Sequence, residues 1–184
     1  MIHTASAPIQ VLQGEFSVSS EPDTVLSAIL GSCVATCLWD PVARVGGMNH
    51  ILLPGSRTAS PNENKYGVFA MEALINALMK KGARKTDLVA KIFGGAQTYE
   101  NSLQIGEANA TFVRQFLEAE DIQIKAASLG GTQARRVRFY PESGRARQMI
   151  TGESAPAPLP EQSTRAAGRR SALPEAKSGD LELF

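Results

Sequence analysis

Apolar residues in the first third of the chain fall in short runs separated by turn-forming dipeptides. Residues 16–20, 24–30, 34–39 and 46–53 each carry the alternating or continuous apolar pattern of a strand, with breaks at Asp40-Pro41 and Gly46-Gly47. The period then changes. Tyr66, Phe69, Ala70, Ala73, Leu74, Ala77 and Leu78 recur at helical spacing; Ser60 and Glu63 stand in the relation of a capping box, and Gly82 supplies a stop. Residues 88–93 predict a strand ending at Gly94-Gly95. A second helix follows, with Phe112, Val113, Phe116 and Leu117 on one face, and then a strand at 122–129. Residues 137–140 and 145–150, on either side of Pro141-Glu142-Ser143-Gly144, predict a hairpin with a Gly-containing turn.

Strands interleaved with two main helices imply an α/β (α+β) layered sandwich with mixed, largely antiparallel β-sheets. No internal repeat is present. Periodicity stops after residue 150: residues 151–177 are rich in Ala, Pro, Ser, Arg and Glu and offer too little apolar surface to offset their ordering entropy. The expected organisation is a flexible leader at 1–9, one folded catalytic domain at 10–150, and a disordered tail at 151–184. The tail closes on an acidic and apolar end, 180–184, that reads either as a frayed terminus or as an anchor for a partner. A chain ending at Ile150 is expected to fold.

Composition narrows the classes of function. A chain of 184 residues, 43% apolar, suffices for one domain with a sizeable core. Nineteen basic and eighteen acidic residues leave a formal charge of +1, so no global field favours nucleic acid or an anionic membrane. The N-terminus lacks the pattern of a secretory signal, and no apolar run approaches the ~20 residues of a membrane span. A cytoplasmic protein without membrane insertion is expected. Arg135, Arg136, Arg138, Arg145 and Arg147 gather positive charge on one hairpin, either as a solvated face or as a dock for an acidic helix.

Only two cysteines are present, Cys33 and Cys37, without the spaced Cys/His set of a zinc site, and no metal or cofactor is implied. In Leu30-Gly31-Ser32-Cys33 a glycine and a small residue precede a cysteine between two apolar runs. Such a segment can set a thiol beside free backbone N–H groups, which would lower its pKa and later hold an oxyanion. Taken alone, such a segment more often holds a core cysteine than a catalytic one. Seventeen residues on stands His50, within Met48-Asn49-His50-Ile51. If the two strands pair as antiparallel neighbours, Cys33 and His50 meet at one end of the sheet. A strand histidine satisfied by a carbonyl is the alternative.

Leu-Gly-Ser-Cys-Val at 30–34 and Gly-Gly-Met-Asn-His-Ile-Leu-Leu-Pro at 46–54 closely resemble the chemoreceptor glutamine deamidase family, CheD. Tyr66, Lys91-Ile92-Phe93-Gly94-Gly95-Ala96, Ile105-Gly106, Asn109, Phe112-Val113 and Gly130-Gly131 resemble further landmarks of that family in the same order. Ala134 departs from a glycine common in it. The resemblance covers about residues 10–150. It implies a protein-glutamine glutaminase acting on methyl-accepting chemotaxis proteins through a Cys33 thioester, with His50 as base. It also implies a third polar site residue at Ser27, and it places Gly31, Ser32 and Asn49 on the substrate and oxyanion side. A CheC-type phosphatase is an implied partner. Two alternatives stand beside this reading: a non-catalytic module that regulates such a phosphatase or a receptor, and a cysteine peptidase. Cys37 reads as a core thiol.

Overall fold

The computed structural model describes residues 7–53, 61–99, 103–151 and 181–184. The chain forms β1 (Ile9–Gln10), β2 (Phe16–Ser19), β3 (Leu26–Leu30), β4 (Val34–Asp40), β5 (Val45–Ile51) and α1 (Pro61–Lys80). It continues with a 3-10 turn at Lys85–Asp87, β6 (Val89–Gly94), α2 (Leu103–Ala119) and β7 (Gln123–Leu129). β8 (Arg135–Tyr140), β9 (Arg145–Ile150) and β10 (Leu181–Leu183) complete it. Two five-stranded sheets result, in the orders β1-β3-β8-β9-β10 and β2-β5-β4-β6-β7. Neighbours are antiparallel except β1 with β3 and β6 with β7. The layered α+β class read from the sequence is the observed one. Among the described residues, no helix is long and apolar enough to cross a membrane.

Two buried clusters make three layers. Leu74, Leu78, Val113 and Leu117 of the helices pack with Val34, Leu38, Ile51 and Ile92 on one face of the second sheet. Ala35, Cys37, Met48 and Phe93, from the other face, pack against Leu26, Ala28, Leu30, Val137 and Phe139 of the first sheet. β4 is therefore covered on both faces, which is why its sequence is apolar almost without alternation. Burial of this kind contributes about 25 cal/mol per Å² of apolar area, and β4 supplies both clusters.

Gly46-Gly47 lies inside β5 and is no break. The turn sits at 41–44, where Arg44 takes φ +54° and the Asp40 carboxylate accepts the N–H groups of Val42 and Ala43. The two glycines answer to space: a Cβ at 46 would lie 2.6 Å from the Pro141 carbonyl oxygen, and one at 47 would lie 2.6 Å from Val18 Cγ1. The capping box at Ser60 and Glu63 falls outside what is described, but α1 ends as expected, with Gly82 at φ +101° and the Ala83 N–H returning to Leu78 O. Ala134 is buried at an ordinary φ, and its carbonyl takes the Thr151 N–H at 2.8 Å. An alanine serves there without strain.

Three expectations need correction. The leader is shorter than 1–9, because Ile9 and Gln10 already pair with Leu26 and Ser27. The acidic and apolar end docks on its own domain: β10 pairs with β9, and Phe184 exchanges two backbone hydrogen bonds with Ala146 and meets Phe93 edge-on at 5.4 Å. Residues 152–180 lie outside the described residues. Arg135 does not belong to an outward basic patch. It is buried, and its guanidinium donates to the carbonyls of Ser128 and Gly130 and to Ser128 Oγ, which ties β8 to the end of β7. Phe184→Ala should therefore lower stability by about 1–2 kcal/mol in a denaturant melt. An unchanged midpoint would return the segment to a frayed end.

Candidate functional site

β4 and β5 pair antiparallel with Ala35 opposite His50. Alternate residues of a strand share a face. Ala35 and Cys37 look into the space between the sheets, and Cys33 packs against that same cluster. On β5 the same parity takes Met48 and His50 to the inter-sheet side. Cys33 and His50 are thus diagonal neighbours on one face at one end of the pair, a relation that sets Cα atoms about 7–8 Å apart and side chains closer.

The segment carrying Cys33 is held by its carbonyls. Ala96 N–H donates to Gly31 O at 2.8 Å, Asn109 Nδ2 to Ser32 O at 3.0 Å, and Gly95 N–H to Cys33 O at 2.8 Å. The approach requires glycine. A Cβ on Gly94, at φ +118°, would stand 2.1 Å from Cys33 O, and one on Gly106 of α2 would stand 2.5 Å from Gly95 O. Asn109 is fully buried and also accepts the Leu53 N–H at 2.8 Å, so one side chain fixes the Cys33 segment against the exit of β5. With these carbonyls drawn to the Gly94–Ala96 turn and α2, the N–H groups of Ser32 and Cys33 point the other way. Among the described residues they have no main-chain partner. Such donors suit an oxyanion.

His50 is almost wholly buried, and its Nδ1 lies 3.0 Å from Val11 O. A carbonyl only accepts, so Nδ1 carries the hydrogen and Nε2 presents a bare lone pair. Nε2 is buried and has no hydrogen-bond partner among the described residues. The same turn binds His50 through its main chain: Gly14 N–H donates to His50 O at 2.8 Å, and His50 N–H donates to Glu15 O at 3.0 Å. Burial pushes the imidazole below its ordinary 6.5, with the Val11 bond opposing in part. The imidazole is neutral at physiological pH.

The thiol departs from expectation. Burial pushes Cys33 up from 9.0 to about 11, only partly offset by its own backbone N–H. Desolvation outweighs the amide dipole beside it. Both the thiol and the imidazole are therefore uncharged at neutral pH. Cys37 is fully buried in the core and pushed higher still. An alkylating reagent should modify Cys33 faster than Cys37, at a rate that climbs as pH rises from 7 toward about 11. A rate already flat by pH 8 would contradict the raised thiol.

The other expected residues divide. Gly31 and Ser32 line the Cys33 segment. Asn49 does not: it points to the helix side, where Oδ1 accepts the Thr36 N–H at 3.1 Å and Nδ2 reaches Ala70 O at 3.4 Å. Adjacent strand residues face opposite ways, so Asn49 cannot share a pocket with His50. The Ser27 hydroxyl is buried and unpaired, and it does not orient His50; that task falls to Val11 O. Ser27 contributes its carbonyl, which takes the Val11 N–H at 2.8 Å. Val11 left no trace in the sequence because its role belongs to a main-chain oxygen. Asn109 was legible only as a family landmark.

Known proteins resemble this chain along most of its length. The family model described as "CheD chemotactic sensory transduction" matches residues 52–149. Three similar proteins bear the name "Probable chemoreceptor glutamine deamidase CheD". That of Rhizobium meliloti (strain 1021) is 48% identical over 98% of this chain and 97% of its own length. That of Caulobacter sp. (strain K31) is 47% identical over 96% and 92%. That of Rhizobium leguminosarum bv. trifolii (strain WSM2304) is 52% identical over 83% and 85%. Among solved structures, the Bacillus licheniformis hypothetical protein YfiH aligns with a TM-score of 0.41 at 16% identity, covering 67% of this chain and 60% of its own, too distant to bear on function. A match across more than half the chain, together with full-length relatives near 50% identity, places this chain in the CheD family.

Proposed function

We propose that the chain deamidates glutamine side chains of chemoreceptors to glutamate, with Cys33 as nucleophile and His50 as its base. The carrying observation is the His50 ring: Nδ1 is committed to Val11 O, while Nε2 is bare, buried and on the face that Cys33 shares. The names of the relatives supply the substrate class, chemoreceptors, which are read here as methyl-accepting chemotaxis proteins.

In the proposed reaction His50 Nε2 takes the Cys33 proton as Sγ attacks the carboxamide carbon. The amide oxygen becomes an oxyanion facing the Ser32 and Cys33 N–H groups. Collapse breaks the C–N bond, and His50 returns the proton so that nitrogen leaves as ammonia. Water, deprotonated by His50, then attacks the thioester. Glutamate and the thiol are restored. Acylation and deacylation each begin with a neutral His50 as proton acceptor, a state that its depressed pKa favours.

The reaction belongs on the cytoplasmic side, where the modified helices of such receptors lie, and a CheC-type phosphatase competing for the same mouth is compatible with it. Incubation with a receptor cytoplasmic fragment should release ammonia in step with new glutamates, each adding about 1 Da without chain cleavage. Chain cleavage would favour a peptidase, and no change would favour a non-catalytic module.

Ser27 is proposed as a positioning residue through its main chain: its side chain alternates with those of Leu26 and Ala28 and so lies on the face of the first sheet turned away from Cys33 and His50. Ser27→Ala removes a buried polar atom that has no partner among the described residues, so stability should hold or rise slightly. Turnover close to wild type is expected. A marked fall in Ser27→Ala, restored by Ser27→Thr, would show instead that the hydroxyl takes part.

A further inference from the structure

The turn that carries the His50 partner also carries a glutamine. Glu15 N–H donates to Leu12 O at 2.9 Å, so residues 12–15 form a β-turn with Gln13 and Gly14 at its centre. Gly14 takes φ +83°, the left-handed position such a turn asks of glycine, and the Glu15 carboxylate caps the Leu12 N–H at 3.1 Å. Gln13 is exposed at the tip, and its Oε1 lies 3.9 Å from Cys33 Sγ, in the geometry of a hydrogen bond from the thiol. A carboxamide of the type the enzyme is proposed to attack thus rests on its nucleophile.

The pose is not one of attack. A thiol that donates to the amide oxygen is protonated, and that oxygen would have to turn to the Ser32 and Cys33 N–H groups before the carbon met sulfur. The backbone cannot easily supply that movement, because Gly14 N–H and Glu15 O are both bonded to His50. We propose that Gln13 is a resident stand-in for the substrate carboxamide, one that hydrogen-bonds the Cys33 thiol in the free enzyme and must swing out before a receptor glutamine enters. This rests on the reading of Cys33 as nucleophile. Gln13 is then a positioning residue that sets the threshold for substrate entry, since binding is weakened by the fraction of enzyme it occupies. The neutral thiol is the form that this contact favours.

Cys33 alkylation by iodoacetamide, itself a small carboxamide, reads the occupancy directly. In the full-length chain at about pH 8, Gln13→Ala should raise the rate at Cys33 by about two- to fivefold, the range of one weak exposed hydrogen bond. Gln13→Glu, which keeps an acceptor and adds negative charge, should react more slowly than wild type. Steady-state deamidation should show a lower KM for Gln13→Ala with kcat changed by less than about twofold. Alkylation and KM both at wild-type values in Gln13→Ala would overturn the inference. So would conversion of Gln13 to glutamate in wild type but not in Cys33→Ala, because residue 13 would then be a substrate. If Cys33→Ala still deamidates receptors, the reading beneath the inference has failed; if it is inactive while Gln13→Ala behaves as wild type, only the inference has.

Discussion

Cys33→Ala is expected to abolish deamidation of receptor glutamines while the domain melts close to the wild-type midpoint. The two expectations come from different parts of the structure. Chemistry is lost because water attacking an amide directly would lack both the covalent intermediate and a proton relay aimed at it. The fold is spared because Cys33 sits one residue before β4 and is only partly buried, and what the structure needs from it is its carbonyl, bonded to Gly95 N–H at 2.8 Å. Alanine keeps that carbonyl. Cys37→Ala reverses the pattern: it leaves turnover unchanged but costs about 1 kcal/mol or more in the core, where Cys37 is 1% exposed.

His50→Ala is expected to slow deamidation by on the order of 10²-fold or more, the scale of a positioned acid or base. It should also cost about 1–3 kcal/mol, because Val11 O is left buried without its donor. A melt alongside the kinetics separates the two losses. The pH profile carries the sign. Burial depresses the pKa of His50, so the imidazole stays neutral below its ordinary 6.5. kcat/KM should hold through neutrality and fall only as pH drops below 6.5 and His50 gains its proton. Stability follows the same direction, since the unfolded chain binds that proton first: the contribution is intact above pH 6.5 and is lost as pH falls through the depressed folded pKa. A profile that falls already above pH 7 would remove His50 from the role of base.

Where sequence and structure agree, a periodic signal was long enough to read. β4 and β5 carry seven residues each and α1 carries twenty, and their apolar patterns follow from which faces they bury. β1 and β10, with two and three residues, have no period; they exist because Leu26 and Met149 offer an edge to pair with. Cys33 and His50 were singled out by the family resemblance more than by residue type and spacing, and register brings them to one face. Asn49 was misplaced because a motif does not say which face of a strand each member takes. The thiol pKa was misjudged for a similar reason: amide dipoles beside Cys33 can be inferred from Gly31-Ser32, but the burial that outweighs them comes from packing against the facing first sheet. Gln13 gave no signal at all, since a glutamine in a polar turn is unremarkable until the turn is folded over Cys33.

The most direct test of Cys33 as the attacking atom is to quench the enzyme in acid during turnover on a receptor peptide and measure the mass of the fragment containing Cys33. The account predicts an adduct equal to the substrate less about 17 Da, the ammonia expelled on forming the thioester, absent with Cys33→Ala and never found on Cys37. Glutamate formed at the wild-type rate by Cys33→Ala, with no adduct on Cys33 in wild type, would contradict it.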